Sequence, residues 1–194
     1  MRAAMMRWGK FVLKLAAGAF LVLVPGMACA QQGLDLEGRA LSPFAANESK
    51  VTVLVFVRRD CPVSARYAPV IQQISRQYGD RVGFWLVYPD KSETPQAIRQ
   101  SIAEFGYKLP VLRDPAHTLV QLAHVQITPE VAVFDHKHHL VYDGRIDNWY
   151  IDFARSRPAP STHELEDAIE AALADRPVAH NEVRGVGCYI SDVE

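Results

Sequence analysis

Residues 51–57 read Val-Thr-Val-Leu-Val-Phe-Val, seven positions that are almost all β-branched or aromatic. A run of this length without polar alternation predicts a strand buried on both faces. Such a strand needs cover above and below its sheet, and the flanking sequence supplies it. Pro62 sits at a tolerated helix start, and Tyr67, Val70, Ile71, Ile74 and Tyr78 then recur at helical spacing until Gly79-Asp80. Residues 82–88 (Val-Gly-Phe-Trp-Leu-Val-Tyr) form a second buried strand, and 95–105 a second amphipathic helix stopped by Gly106. A short strand at 110–112 and a short helix at 115–123 follow. Residues 131–135 and 140–143 read as a hairpin around His136-Lys137-His138-His139. Thr162 is the expected cap of a closing helix that begins with Glu164 and Glu166. Strand and helix in alternation, then a hairpin and a last helix, predict an α/β fold with a central mixed sheet flanked by helices.

Of the 194 residues, 49% are hydrophobic, enough for one sizeable core and one domain. The charge is uneven. Arg2, Arg7, Lys10 and Lys14 open the chain with no acid among the first thirty residues, which leaves a mildly acidic remainder. A remainder of that sign argues against nucleic acid as the main partner. Residues 1–30 have a basic start, an apolar run at 15–24 and Ala28-Cys29-Ala30, the pattern of a secretory signal peptide cut after Ala30. An uncleaved anchor is a rival, but Pro25-Gly26 interrupts a stretch shorter than the roughly 20 apolar residues of a span. A lipoprotein acylated on Cys29 is another. The expectation is a periplasmic or secreted protein with no stable membrane span after cleavage. It would comprise a domain at 31–180 and a tail at 181–194 carrying Cys188.

Cleavage leaves two cysteines, Cys61 and Cys188. Cys61 lies between the first buried strand and the first long helix, in Arg58-Arg59-Asp60-Cys61-Pro62-Val63-Ser64. A sulfur at a helix N-cap faces unpaired backbone N–H groups and the positive end of the helix dipole, and both favour the thiolate. Arg58 and Arg59 add to this, and Asp60 opposes it. The bland alternative is a buried, inert cysteine.

Cys61-Pro62-Val63-Ser64, followed by Ala68-Pro69-Val70-Ile71, resembles the active-site region of thioredoxin-fold redoxins, where a Cys-x-x-Cys or Cys-x-x-Ser motif opens a helix. That family has a proline eight residues after the first cysteine, and Pro69 stands at that offset although a proline so deep in a helix costs a hydrogen bond. Ile127-Thr128-Pro129 resembles the family's second hallmark, a cis proline before a strand. By this resemblance Pro129 packs against Cys61, and Thr128 offers its backbone to a bound chain. An ordinary trans turn proline is the reading the residues alone leave open. The extra strand and helix between Tyr88 and Pro115 are similar to exported redoxins related to alkyl hydroperoxide reductase and thiol-specific antioxidant proteins.

The resemblance implies a thioredoxin-like fold and a thiol–disulfide oxidoreductase needing no cofactor, since the sulfurs carry the electrons. Its partners would be protein thiols and disulfides, or a small thiol or peroxide. Ser64 replaces the motif's second cysteine and is expected to hydrogen-bond the Cys61 thiolate. Peroxiredoxins carry a hydroxyl three residues before their cysteine. Arg58 stands there, so monothiol exchange is favoured over a thiol-dependent peroxidase. Cys188, after the pliable Gly185-Val186-Gly187, is a candidate to resolve a Cys61 mixed disulfide. A static Cys61–Cys188 bridge and a free or intermolecular thiol are its alternatives. A copper-delivery module using Cys61, Cys188 and a histidine of the 136–139 stretch is a further possibility, and so is a redox-inert scaffold; the histidines themselves read more simply as a polar hairpin tip.

Overall fold

The computed structural model describes residues 31–45 and 49–191, so the expected signal peptide lies outside the described residues. The chain forms β1 (Gly33–Leu34), β2 (Ala40–Leu41), β3 (Val51–Phe56), α1 (Pro62–Tyr78), a short 3-10 turn, β4 (Val82–Tyr88), α2 (Pro95–Phe105) and β5 (Val111–Arg113). There follow α3 (Thr118–Ala123), β6 (Ile127–Thr128), β7 (Glu130–Phe134), β8 (Leu140–Gly144), α4 (Glu164–Leu173), β9 (Glu182–Val183) and β10 (Cys188–Tyr189). Eight strands make one mixed sheet in the order β2-β1-β5-β4-β3-β7-β8-β9, and β10 pairs with β6 in a separate ribbon. Strand β3 is the hub, parallel to β4 and antiparallel to β7. None of the described helices is long and apolar enough to cross a membrane.

All six residues of β3 are buried, as its unbroken apolar run predicts. Strand alternation divides them between two cores. Val51, Val53 and Val55 join Tyr67, Ile71 and Ile74 of α1, Ile98 of α2 and Leu165 and Ile169 of α4. Leu54 and Phe56 join Phe44, Trp85, Leu119 and Val120 of α3, and Ile190 from the end of the chain. Helix α2 has the capping that its sequence suggests: Thr94 Oγ1 accepts from the Ala97 N–H, and Gly106 ends the helix in the left-handed region at φ 67°.

Two helix starts differ from the sequence reading. Thr162 does not cap α4. The N-cap position is His163, with no side-chain cap, because Thr162 Oγ1 donates to Glu164 Oε1 at 2.6 Å. Helix α3 begins at Thr118 rather than at 115. The buried Asp114 reaches over the intervening turn, and its Oδ2 accepts from the Leu119 and Val120 N–H groups at 2.8 Å each. Burial raises the Asp114 carboxyl to about 6 despite those backbone donors.

The segment after α4, where no strand was expected, is built into the sheet. Strand β9 pairs in parallel with β8, and the Arg145 N–H donates to the Val183 carbonyl at 2.8 Å. Gly144 makes this possible: its φ is 143°, and a Cβ there would sit 2.1 Å from the Val183 carbonyl oxygen. Residues 184–190 then run back across the C-terminal end of β3, where Cys61 lies.

Candidate active site

Cys61 is the N-cap of α1, with φ −86° and ψ 112°, and its carbonyl accepts the first helical hydrogen bond from the Ala65 N–H at 3.1 Å. Pro62 follows at the first helical position, and Pro69 lies inside the same 17-residue helix. The Thr128–Pro129 peptide bond is cis, and the Cys61 thiol donates to the Thr128 carbonyl at 3.1 Å. Strand β10 completes the group. It pairs antiparallel with β6 in a register that sets Cys188 opposite Thr128 and Tyr189 opposite Ile127. Cys61, Ser64, Thr128, Pro129 and Cys188, far apart in sequence, thus meet at one point. Both cysteines are free thiols.

Their electrostatics diverge. Burial pushes the Cys61 thiol up. Hydrogen bonds from the Cys188 thiol, from the Ser64 N–H and hydroxyl, and from the Val63 N–H outweigh it, so the net direction is down. Cys188 is pushed up to about 12, first by burial and then by its bond to Cys61, which keeps the proton on Cys188. Of the two, Cys61 therefore ionises the more readily and Cys188 the less. Arg58, expected to assist Cys61, has its guanidinium occupied elsewhere, with Asp60 at 3.0 Å, Asp90 at 3.2 Å and the Tyr189 carbonyl at 3.0 Å.

Cys61 is also completely shielded from solvent, with 0% of its surface exposed. The cover is the end of the chain, held at several points. The Gly185 N–H donates to Glu130 Oε1 at 3.1 Å, the Ile190 N–H to the Gln126 carbonyl at 2.9 Å, and Thr128 Oγ1 to the Cys188 carbonyl at 3.4 Å. Ile190 is buried in the second core, whereas Tyr189 beside it is 76% exposed. Gly187 passes so close to Thr128 that a Cβ would lie 2.0 Å from its carbonyl oxygen. The tail that follows the pliable Gly185-Val186-Gly187 is a fitted strand.

Two further acids support the site and escaped the sequence reading. Glu130 is buried directly after the cis proline. Its Oε2 accepts from the Gln126 and Ile127 N–H groups at 3.1 and 3.3 Å while Oε1 holds Gly185, so one carboxylate ties the proline loop to the tail. An acid at the head of the apolar run 131–134 was the available signal. Glu93 is also buried, accepts from the Arg59 N–H at 2.9 Å and has its carboxyl raised by that burial. It comes from a polar loop with no pattern to single it out.

Other expected features lie away from this point. His136 faces Asp175 at 3.3 Å, His138 stacks on Phe44 with ring centroids 4.8 Å apart, and His139 faces Asp135 at 3.5 Å, so the three imidazoles diverge. Arg145 pairs with Glu164. Asp147 accepts from the Tyr67 hydroxyl at 2.5 Å and from the Trp149 N–H at 2.8 Å. A cavity of about 120 Å³ lies beside Pro129 between Tyr67, Tyr150 and Val186. A larger hollow, about 920 Å³ and lined by Gly79, Val82 and Gly83, opens at the opposite end of the strands from Cys61.

A thioredoxin-like family model matches residues 48–140. The sequence finds no match among curated proteins. Among solved structures, a hypothetical protein from Sinorhizobium meliloti superposes with a TM-score of 0.67 at 20% identity, covering 82% of this chain and 88% of that one. An uncharacterized conserved protein from Geobacillus kaustophilus gives 0.66 at 21% identity, covering 82% and 86%. A secreted disulfide oxidoreductase from Mycobacterium tuberculosis gives 0.50 at 14% identity, covering 74% and 94%. Sheet order, the cysteine at the start of α1, the cis proline before β7 and the family-model match agree: the chain has a thioredoxin-like fold.

Proposed function

We propose that the protein is an exported thiol–disulfide oxidoreductase whose redox-active pair is Cys61 and Cys188. The observation that carries this reading is the register of β10 on β6, which sets Cys188 opposite the residue whose carbonyl holds the Cys61 sulfur. Oxidation joins the two sulfurs. The two electrons and two protons lost reduce one partner disulfide to two thiols, and the reverse reaction returns them. Thr128 and Pro129 hold the cysteines together, and Ser64 with the first N–H groups of α1 stabilises Cys61 as the anion that closes the bridge or leaves it. The basic, apolar opening of the sequence supports export, and the secreted oxidoreductase among the similar folds is in keeping with it.

The test is to treat the protein with oxidised glutathione and map its cysteines by mass spectrometry, then to assay reduction of insulin by dithiothreitol. An intramolecular Cys61–Cys188 bridge is expected, with catalysis lost in Cys61→Ser. Absence of the bridge, or full activity in Cys61→Ser, refutes the proposal.

A further inference from the structure

The two sulfurs of the pair are not equally open to the outside. Cys61 has no exposed surface, whereas Cys188 is partly exposed, and its neighbour Tyr189 stands out into solvent. In the thiol form only hydrogen bonds and packing hold the tail over Cys61. Once the sulfurs are joined, a covalent bond also fastens Cys188 to the residue it covers. Thiol–disulfide exchange requires the incoming sulfur to approach in line with the bond that breaks. Cys188 is the partly exposed member of the pair, within reach of a thiol from solvent. Cys61 is fully buried, its sulfur held among the Val63 and Ser64 N–H groups and the Thr128 carbonyl.

We infer that redox partners exchange electrons with the pair through Cys188, with Cys61 as the internal sulfur. This rests on the Cys61–Cys188 couple proposed above. An external thiolate forms a bond to the Cys188 sulfur, the Cys61–Cys188 bond breaks, and its electron pair leaves on Cys61. A second external thiolate then attacks the mixed disulfide on its own side. It releases Cys188, which takes up a proton, and departs as the external disulfide. Two external thiols are oxidised and one protein disulfide is reduced. The departing sulfur is the one the site favours as an anion, and a leaving thiol of lower pKa leaves faster. In the oxidising direction Cys188 passes its proton to the Cys61 sulfur beside it and attacks the partner disulfide; the released partner thiolate takes the proton from Cys61, which then attacks Cys188 and displaces the partner from within. The arrangement suits thiols on flexible chains or small molecules, which can reach a sulfur at the surface. It inverts the order expected from the helix-start motif, in which Cys61 would meet the partner.

The experiment uses the full chain, oxidised to the intramolecular disulfide. It is exposed briefly to reduced glutathione in the presence of iodoacetamide, acid-quenched and peptide-mapped. The expected product carries glutathione on Cys188 and a carbamidomethyl group on Cys61, exceeding the opposite isomer by at least about tenfold, because approach and leaving group favour the same sulfur. If the bridge forms but glutathione is found mainly on Cys61, this inference falls and the couple stands. If no intramolecular bridge forms in the first step, the couple itself falls and takes the inference with it.

Discussion

Gly187→Ala tests whether the fitted tail is what shields Cys61. A methyl at this position would lie 2.0 Å from the Thr128 carbonyl oxygen, 2.7 Å from its carbon and 3.2 Å from the Pro129 nitrogen. All three are backbone atoms tied into the cis-proline loop, so the tail must move. The bonds at risk are Ile190 N–H to Gln126, Thr128 Oγ1 to Cys188 and Arg58 to the Tyr189 carbonyl. At about 0.5–1.5 kcal/mol net for each, their loss is worth roughly 1.5–4.5 kcal/mol. Alkylation of a fully covered sulfur proceeds through local opening, and each 1.4 kcal/mol is tenfold in that equilibrium. Alkylation of Cys61 by iodoacetamide in the reduced protein, followed by peptide mapping, should therefore accelerate by roughly 10- to 1,000-fold. Gly185→Ala is the matched control. Its methyl would meet Glu130 and Pro129 at 3.4 Å and Arg145 at 3.5 Å, close to ordinary contact, and the rate should stay near that of the parent. A folded Gly187→Ala protein whose Cys61 reacts at the parental rate would refute the account of the tail as a cover.

Three further outcomes follow from the geometry. Cys61 should ionise more readily than it does without the Cys188 thiol, so Cys188→Ala, which removes that donor, should move the pH midpoint of Cys61 alkylation upward; coincident midpoints in the parent and Cys188→Ala would contradict the assignment. Asp114 is raised from 3.8 to about 6, so the folded state binds its proton more tightly than the unfolded chain does. Its contribution is complete below pH 3.8 and lost as pH rises through 6, a fall of about 3 kcal/mol, and urea midpoints of Asp114→Asn should lack that part of the decline. Tyr67→Phe removes the 2.5 Å bond to Asp147 and should cost about 1.5–3 kcal/mol in urea unfolding, because the buried carboxylate keeps only the Trp149 N–H.

The site was legible where local chemistry marked it. A seven-residue run that is apolar but for Thr52, and a proline at helix position one, each carry a constraint that survives without neighbours, and β3 and the start of α1 follow them; the cis Thr128–Pro129 bond was implied by the family resemblance, not by the residues alone. Strands β6, β9 and β10 have two residues each, too few to display a period, and their existence depends on partners more than 30 residues away. The Gly185-Val186-Gly187 sequence read as freedom because glycine serves both mobility and close passage, and sequence does not distinguish the two. Glu130 was passed over, and Arg58 was assigned to Cys61, for a related reason. Their roles are set by a segment that reaches them from more than 50 residues away in the chain.

The cover over Cys61 also has a place in time. A nascent polypeptide appears amino end first, and β3, α1 and the cis-proline loop can associate before residues 188–190 have been made. During that interval the reactive sulfur stands open to whatever thiols surround the emerging chain. Synthesis of residues 188–190 is therefore what allows Cys61 to be enclosed.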